Sequence, residues 1–151
     1  MGRTMILLST LLVLACPSPA LAGPKEDVAA ATPAWIDAMN SRDTERVMVL
    51  YDPEAVLWGT GSPTIRDNPS TIRDYFKTLP TFPPEFKGIV VEQRVRVYGD
   101  TAINSGIYNF SSVRDGKPIT IPARFSFVYR YRDGRWVIVD HHSSVVPAPP
   151  Q

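Results

Sequence analysis

The clearest pattern in the chain is an alternation of apolar and polar residues that begins at Gly88 and continues to the C-terminal region. Three dipeptides interrupt this alternation, namely Gly99-Asp100, Asp115-Gly116 and Asp133-Gly134. Period-two alternation predicts strands, and Asp-Gly between two such runs is a strong signal for a tight hairpin turn. The sequence therefore predicts four long antiparallel strands over 88–98, 101–113, 118–132 and from 135 onward. In the first of them, one face is assigned to Val91, Gln93, Val95 and Val97.

Before these strands, apolar residues recur at the three- and four-residue spacing of helices. Thr32 precedes Pro33, a pair typical of a helix N-cap followed by proline in the first turn. We therefore expect two helical pieces, over 25–31 and 33–40, rather than one continuous helix. Asp43 is positioned to cap a further helix over 44–51.

The segment 55–79 combines a short strand, a loop and a helix. Ala55 to Trp58 is predicted as a buried strand, and the Gly-Thr-Gly loop after it contains Thr60. Asn68 and Pro69 begin a helix whose apolar face consists of Ile72, Tyr75, Phe76 and Leu79. Helices followed by long antiparallel strands indicate an α+β domain, in which the helices cover one sheet face and leave a cone-shaped pocket.

The first 22 residues have the features of a secretory signal peptide. Arg3 precedes the apolar run Met5–Ala15, and Ala20-Leu21-Ala22 has the small-x-small form of a cleavage site. We therefore expect one domain over 23–151, located in the periplasm or secreted. The alternative is a lipoprotein signal that ends at Cys16 and would anchor the domain to a membrane.

The charge of the chain limits its partners. It has 16 Lys and Arg and 15 Asp and Glu, and Arg3 is the only charged residue before Gly23. A balanced domain without a basic block argues against nucleic acid or an anionic membrane surface as a partner. The single cysteine is Cys16, so no disulfide is expected in the domain.

Both histidines of the chain lie in the last predicted strand, in the segment His141-His142-Ser143-Ser144. Strict alternation assigns one face to Val137, Val139, His141 and Ser143, and the other to Asp140 and His142. Adjacent histidines on a strand leave opposite faces, so they cannot bind one metal ion together. Asp140 and His142 supply at most two ligands, whereas a catalytic zinc site uses three. We therefore predict no metal site, and ligands shared between subunits are the alternative.

Three segments resemble the NTF2-like superfamily, in the branch that contains the calcium/calmodulin-dependent kinase II association domain. They are Ala-Val-Leu-Trp-Gly-Thr at 55–60, Asp-Tyr-Phe at 74–76 and Asp-Gly-Arg-Trp-Val-Ile-Val-Asp-His-His-Ser-Ser at 133–144. Within this branch, the chain resembles bacterial iota-class carbonic anhydrases. The resemblance implies N-terminal helices on a curved, mainly antiparallel sheet of four to six strands, a homodimer, and reversible hydration of carbon dioxide to bicarbonate. Iota-class enzymes are described both as metal-free and as metal-dependent; we expect no cofactor, with zinc or another divalent metal as the alternative.

The resemblance also implies roles for individual residues. The catalytic set is His141, Ser143, Tyr75 and Thr60. In this hypothesis His141 accepts a proton from the attacking water, while the three hydroxyls donate hydrogen bonds to the forming bicarbonate. Three residues are expected to contact the substrate, namely Asn109, Phe127 and Trp58.

Two other functions fit the same fold. One is an NTF2-like isomerase or cyclase acting on a small apolar ketone, with Asp37 or Glu92 as its base. The other is a non-catalytic dimeric scaffold or small-anion binding module. A pocket closed by aromatic residues around His141 would favour the hydratase, a long apolar pocket the isomerase, and a pocket filled by side chains the scaffold.

Overall fold

A computed structural model describes residues 23–148 of the chain. The predicted signal segment, with Cys16, lies outside the described residues, so the domain boundary and the exported location stay predictions. The elements are α1 (Pro24–Asn40), α2 (Thr44–Met48), β1 (Tyr51–Trp58), α3 (Pro69–Phe76), a 3-10 turn (Leu79–Thr81), β2 (Lys87–Tyr98), β3 (Thr101–Arg114), β4 (Lys117–Arg132) and β5 (Arg135–Val145). Among these residues, no helix is both long enough and apolar enough to span a membrane.

The five strands form one sheet in the order β1-β5-β4-β3-β2. Strands β2 to β5 pair antiparallel in succession, and β1 adds to the sheet in parallel beside β5. Both residues of Asp115-Gly116 and of Asp133-Gly134 have positive φ, as the predicted two-residue hairpin turns require. The predicted α+β architecture, with helices packed on a mainly antiparallel sheet, is confirmed.

Helix α1 is continuous, so the predicted break at Thr32 is wrong. Pro33 lies inside the helix and cannot donate to the carbonyl four residues earlier, that of Ala29. The Gln93 side chain donates to this carbonyl at 3.1 Å instead. Thr32 is buried, and its hydroxyl shares a 3.0 Å hydrogen bond with that of Tyr129. Strands β2 and β4 thus supply partners that a solvent-exposed helix would lack.

Helix α2 is shorter than predicted, although Asp43 caps it as expected, accepting from the backbone N–H groups of Glu45 and Arg46. The helix ends at Met48, and β1 already begins at Tyr51, which pairs with Ile138. Pairing with β5 therefore extends β1 four residues further toward the N-terminus than the sequence indicated.

Helix α3 begins as predicted, because the Asn68 side chain and the Thr71 hydroxyl form a reciprocal capping box. The helix ends at Phe76. Leu79 is buried, but it belongs to the following 3-10 turn rather than to α3.

Two β-bulges shift the alternation of the strands. In β2 the register shifts between Val90 and Glu92, so Val90 packs on the core and Val91 is 54% exposed, against the prediction. In β5 an extra residue lies between Ile138 and Asp140. Ile138 therefore packs in the core beside Tyr129, while Val137 and Val139, the predicted neighbours of His141, are not part of the core cluster.

The hydrophobic core lies between α1 and the inner face of the sheet, and Trp35 of α1 is at its centre. Its ring lies 5.8 Å from Tyr108, 5.4 Å from Phe127 and 5.1 Å from His141, measured between centroids. Aromatic contacts of this kind stabilise a core beyond the area that they bury. The helix is thereby held directly against the strand segment that carries the candidate chemistry.

The β2 bulge requires glycine at position 106 on the facing strand. A Cβ at Gly106 would lie 2.0 Å from the backbone oxygen of Glu92, which cannot move without breaking the sheet. We expect Gly106→Ala to lower the free energy of unfolding by about 3 kcal/mol, as overpacking against fixed atoms does. Gly116→Ala is the control, because that turn has positive φ but open space, and its cost should be about 1 kcal/mol. Urea unfolding measures both, and equal losses would contradict this account.

Candidate functional site

A cavity of about 560 Å³ lies between the helices and the inner sheet face, within the range of small-molecule sites. Most of its wall is apolar, and Trp35, Leu57, Phe76, Phe86 and Phe110 contribute to it. Apart from Thr78, the polar side chains of the wall form two groups. A hydrogen-bonded cluster consists of Thr60, Tyr108, His141 and Ser143, with Tyr75 beside it, and a charged group consists of Arg66, Asp74 and Lys77.

The parallel pairing of β1 with β5 brings Thr60 to the histidine strand. Leu57 is paired with His141, so the loop after β1 passes beside Ser143. The hydroxyls of Thr60 and Ser143 are hydrogen-bonded to each other. Residues that are 83 positions apart in sequence thus form one polar surface.

Tyr75 reaches this surface from α3 because residue 59 has no side chain. A Cβ at Gly59 would lie 2.3 Å from the Tyr75 ring. The Tyr75 hydroxyl accepts a 3.4 Å hydrogen bond from the Gly61 N–H, and burial raises the pKa of Tyr75. The structure therefore brings all four residues of the predicted catalytic set, Thr60, Tyr75, His141 and Ser143, to one cavity.

His141 is 2% exposed and lies between aromatic rings. Phe127 stacks on it with centroids 4.0 Å apart, and its Nδ1 lies 2.8 Å from the Tyr51 hydroxyl. Its Nε2 lies 3.4 Å from the Tyr108 hydroxyl. Burial lowers the pKa of His141 to about 3, since a charged imidazole would lose its hydration there. The ring is therefore neutral near pH 7.

Two tyrosines that the sequence analysis did not select complete the cluster. Tyr108 is buried and donates a hydrogen bond to Ser143, and burial raises its pKa well above the usual value. Tyr51 contacts the other side of His141 and accepts a hydrogen bond from Trp35. Alternation in β3 could have indicated Tyr108, because it shares a face with Phe110. Tyr51 gave no such signal, because its segment was predicted as helix.

The three residues expected to contact substrate have different positions. Phe127 is fully buried behind His141, and it is absent from the cavity wall. Asn109 and Trp58 do not line the cavity either, because each lies between two residues that do. Tyr108 and Phe110 flank Asn109, and Leu57 and Gly59 flank Trp58, so both side chains leave the opposite face of the sheet.

The charged group includes Asp74, which is the only carboxylate of the cavity wall among residues 23–148. Asp74 forms ion pairs with Arg66 at 2.9 Å and with Lys77 at 2.6 Å. Both partners lower the pKa of Asp74, and Lys77 has the larger effect. Asp37 and Glu92, the bases considered for a ketone isomerase, are exposed and lie outside the cavity. Within residues 23–148, no three His, Cys, Asp or Glu side chains are grouped as metal ligands.

The lowered pKa of His141 predicts a specific loss of stability in acid. Between about pH 6.5 and pH 3 the unfolded chain binds a proton at His141 and the folded protein does not, so stability falls as the pH falls. From pH 7 to pH 4.5 this contribution is about 2–3 kcal/mol. We expect His141→Gln to lose that much less stability over this interval than the wild type, measured by urea unfolding at both pH values.

The matched control is His142→Gln, which changes an exposed histidine and leaves His141 in place. It should show the full wild-type loss. An acid loss in His141→Gln as large as that of the wild type would mean that the buried imidazole is not the group responsible.

Solved structures show the same fold. One is from Xanthomonas campestris and is named as a calcium/calmodulin dependent protein kinase II association domain. It is 34% identical in sequence, the alignment covers 87% of this chain and 94% of that chain, and the TM-score is 0.75. The CaMKII hub of S. rosetta is 21% identical over 83% of this chain and 98% of that chain, with a TM-score of 0.74. An NTF2-like family protein from Streptomyces avermitilis, for which a dehydratase activity has been suggested, is 20% identical in sequence. The alignment covers 82% of this chain and 97% of that chain, with a TM-score of 0.72.

No curated protein is similar enough in sequence to count as a relative. The family model of the calcium/calmodulin dependent protein kinase II association domain, however, matches residues 24–147, which is nearly all of the described part. The Xanthomonas campestris structure has the same fold over nearly its whole length. The chain therefore belongs to the calcium/calmodulin-dependent protein kinase II association domain family and has the NTF2-like fold.

Proposed function

We propose that this domain is a carbonic anhydrase of the iota type, a lyase that reversibly hydrates carbon dioxide to bicarbonate without a metal cofactor. The observation that carries the proposal is the convergence of Thr60, Tyr75, His141 and Ser143 on one cavity. These are the residues that the resemblance to iota-class enzymes names. The apolar wall suits carbon dioxide, and hydroxyl groups suit the reaction because each both donates and accepts hydrogen bonds.

The burial of His141 changes the chemistry first expected of it. Full transfer of a proton from water, with a pKa of about 15.7, to an imidazole with a pKa of about 3 would cost roughly 17 kcal/mol. A free hydroxide paired with charged His141 is therefore not a reasonable intermediate. His141 acts instead as a neutral group that orients the hydroxyl cluster.

The hydroxyls of Thr60 and Ser143 carry the proton in this proposal. As the water oxygen bonds to carbon, one of its protons passes to a cluster hydroxyl, and that hydroxyl's own proton passes to a carbon dioxide oxygen. The product is carbonic acid, which releases a proton to solvent and leaves as bicarbonate. No buried group has to hold a charge, and the donors of the cluster stabilise the oxygens on which charge develops.

Ser143 and Ser144 provide a matched pair for the test. Ser143 lies in the cluster, whereas Ser144 is on the other sheet face beside Arg124. Stopped-flow measurement of carbon dioxide hydration after chelation should give a rate well above buffer. Ser143→Ala should lower it about 100-fold, the usual effect of losing one transition-state donor, and Ser144→Ala should leave it unchanged. Activity that returns only with added zinc would contradict the metal-free reaction.

A second candidate function is the binding of a small anion without catalysis. The charged group of the cavity has two cations, Arg66 and Lys77, and one carboxylate, Asp74, so it has an excess positive charge. The cavity also offers hydroxyl donors to an anion. If the protein binds bicarbonate saturably, measured by calorimetry, but hydrates carbon dioxide no faster than buffer, the binding function replaces the enzymatic one.

We further propose that the domain forms a homodimer through the outer sheet face. The apolar residues of this face are Val56, Trp58, Ile103, Ile107 and Val128, and the strand register places His142, Asp140, Ser105 and Ser126 among them. Trp58 is 45% exposed on the edge strand β1, beside His142 of β5. Large aromatic residues exposed on an apolar surface are typical of association sites. Membership of a family named for an association domain agrees with this role.

The dimer proposal predicts that a charge in this face shifts the protein to monomer. Trp58→Lys places a charge on the outer sheet face without disturbing the cavity, to which Trp58 does not contribute. Val49→Lys is the control, because Val49 is also exposed but follows α2, away from this face. Light scattering after size exclusion should show a dimer for wild type and Val49→Lys and a monomer for Trp58→Lys. A Trp58→Lys protein that remains dimeric would exclude this face.

A further inference from the structure

We infer that Tyr51 and Trp35 are positioning residues that hold His141 as the tautomer with its proton on Nε2. The site then offers its ligand a hydrogen-bond donor rather than a base. The effect on catalysis rests on the proposed hydration of carbon dioxide, whereas the tautomer itself follows from the hydrogen-bond geometry.

The direction of the hydrogen bonds is set at Trp35. An indole N–H can only donate, and it lies 3.1 Å from the Tyr51 hydroxyl, which must therefore accept. Tyr51 is buried and has one proton of its own. Within the described residues, its other hydrogen-bond partner is Nδ1 of His141, at 2.8 Å. Because a buried hydroxyl proton without an acceptor is costly, Tyr51 donates to this nitrogen.

This donation decides the tautomer of His141. A neutral imidazole has one N–H and one acceptor nitrogen, so an accepting Nδ1 places the proton on Nε2. Nε2 faces the Tyr108 hydroxyl at 3.4 Å and donates to its oxygen. Tyr108 is then free to donate its own proton to Ser143, as its geometry indicates.

The last two hydroxyls leave one proton for the ligand. Ser143 accepts from Tyr108, and one proton of the Ser143–Thr60 pair is used in their mutual hydrogen bond. The other proton of the pair can be donated into the cavity, which both hydroxyls line. This proton suits a ligand that presents an acceptor oxygen, as carbon dioxide and bicarbonate do.

A purely structural role for Tyr51 is the competing explanation, and Tyr129 provides the comparison. Tyr129 is also buried and is hydrogen-bonded to the Thr32 hydroxyl, and in the described part of the chain it has no hydrogen bond to His141. Changing either tyrosine to phenylalanine removes one buried hydroxyl from the core. Only Tyr51→Phe removes the donor to Nδ1.

The test is a long-range proton–nitrogen NMR correlation on protein labelled with ¹⁵N-histidine. A His142→Gln background leaves His141 as the only histidine in the chain. We expect a protonated Nε2 and a hydrogen-bonded, unprotonated Nδ1. Tyr51→Phe should shift the Nδ1 signal toward that of an unpaired nitrogen and mix the tautomers, while Tyr129→Phe leaves the spectrum unchanged. Tyr108→Phe should change the Nε2 signal and leave Nδ1 as it is.

The activity measurement separates this inference from the proposed function. In an active protein, Tyr51→Phe should lower the hydration rate about tenfold, the effect of one lost hydrogen bond, and Tyr129→Phe should keep it. A proton on Nδ1 in the parent spectrum, or equal effects of Tyr51→Phe and Tyr129→Phe on it, would overturn the inference. The expected spectra in a protein without hydratase activity would support the tautomer assignment and reject the proposed reaction.

Discussion

The burial of the His141 imidazole among aromatic rings is the constraint on which the rest of the site depends. Phe127 and Trp35 hold the ring in place, only 2% of the residue is exposed to solvent, and buried polar atoms need hydrogen-bond partners. Both nitrogens therefore need protein hydroxyls, which Tyr51 and Tyr108 supply. These hydroxyls in turn connect to α1 through Trp35 and to the Thr60 loop through Ser143. The His141 imidazole is thus connected, through hydrogen bonds of these hydroxyls, to α1, to β1, β3 and β5, and to the loop after β1.

The same arrangement explains how an apolar core can carry polar chemistry. A buried hydrogen-bond network stabilises a single geometry only when its members have partners, and here each of the hydroxyls has at least one. The neutral imidazole avoids the cost of a buried charge. The cavity therefore has a short row of hydroxyl groups beside an apolar wall. This is the surface that the proposed hydration of carbon dioxide requires.

The two faces of the sheet divide the proposed functions between them. The inner face carries the cluster and the cavity, and the outer sheet face carries Trp58 and His142. Because side chains alternate along a strand, adjacent histidines of β5 serve opposite faces, and a change at one need not disturb the other.

The sequence by itself determined the local features: the Asp-Gly turns, the caps at Asp43 and Asn68, the four antiparallel strands, and the shared face of His141 and Ser143. These depend on interactions within a few residues or on a period of two. Tertiary structure alone decided the continuity of α1 across Pro33, the early start of β1 and the two bulges, because each depends on a partner strand. It also decided that Tyr51 and Tyr108 contact His141, 90 and 33 positions away in sequence, where no local pattern could bring them together.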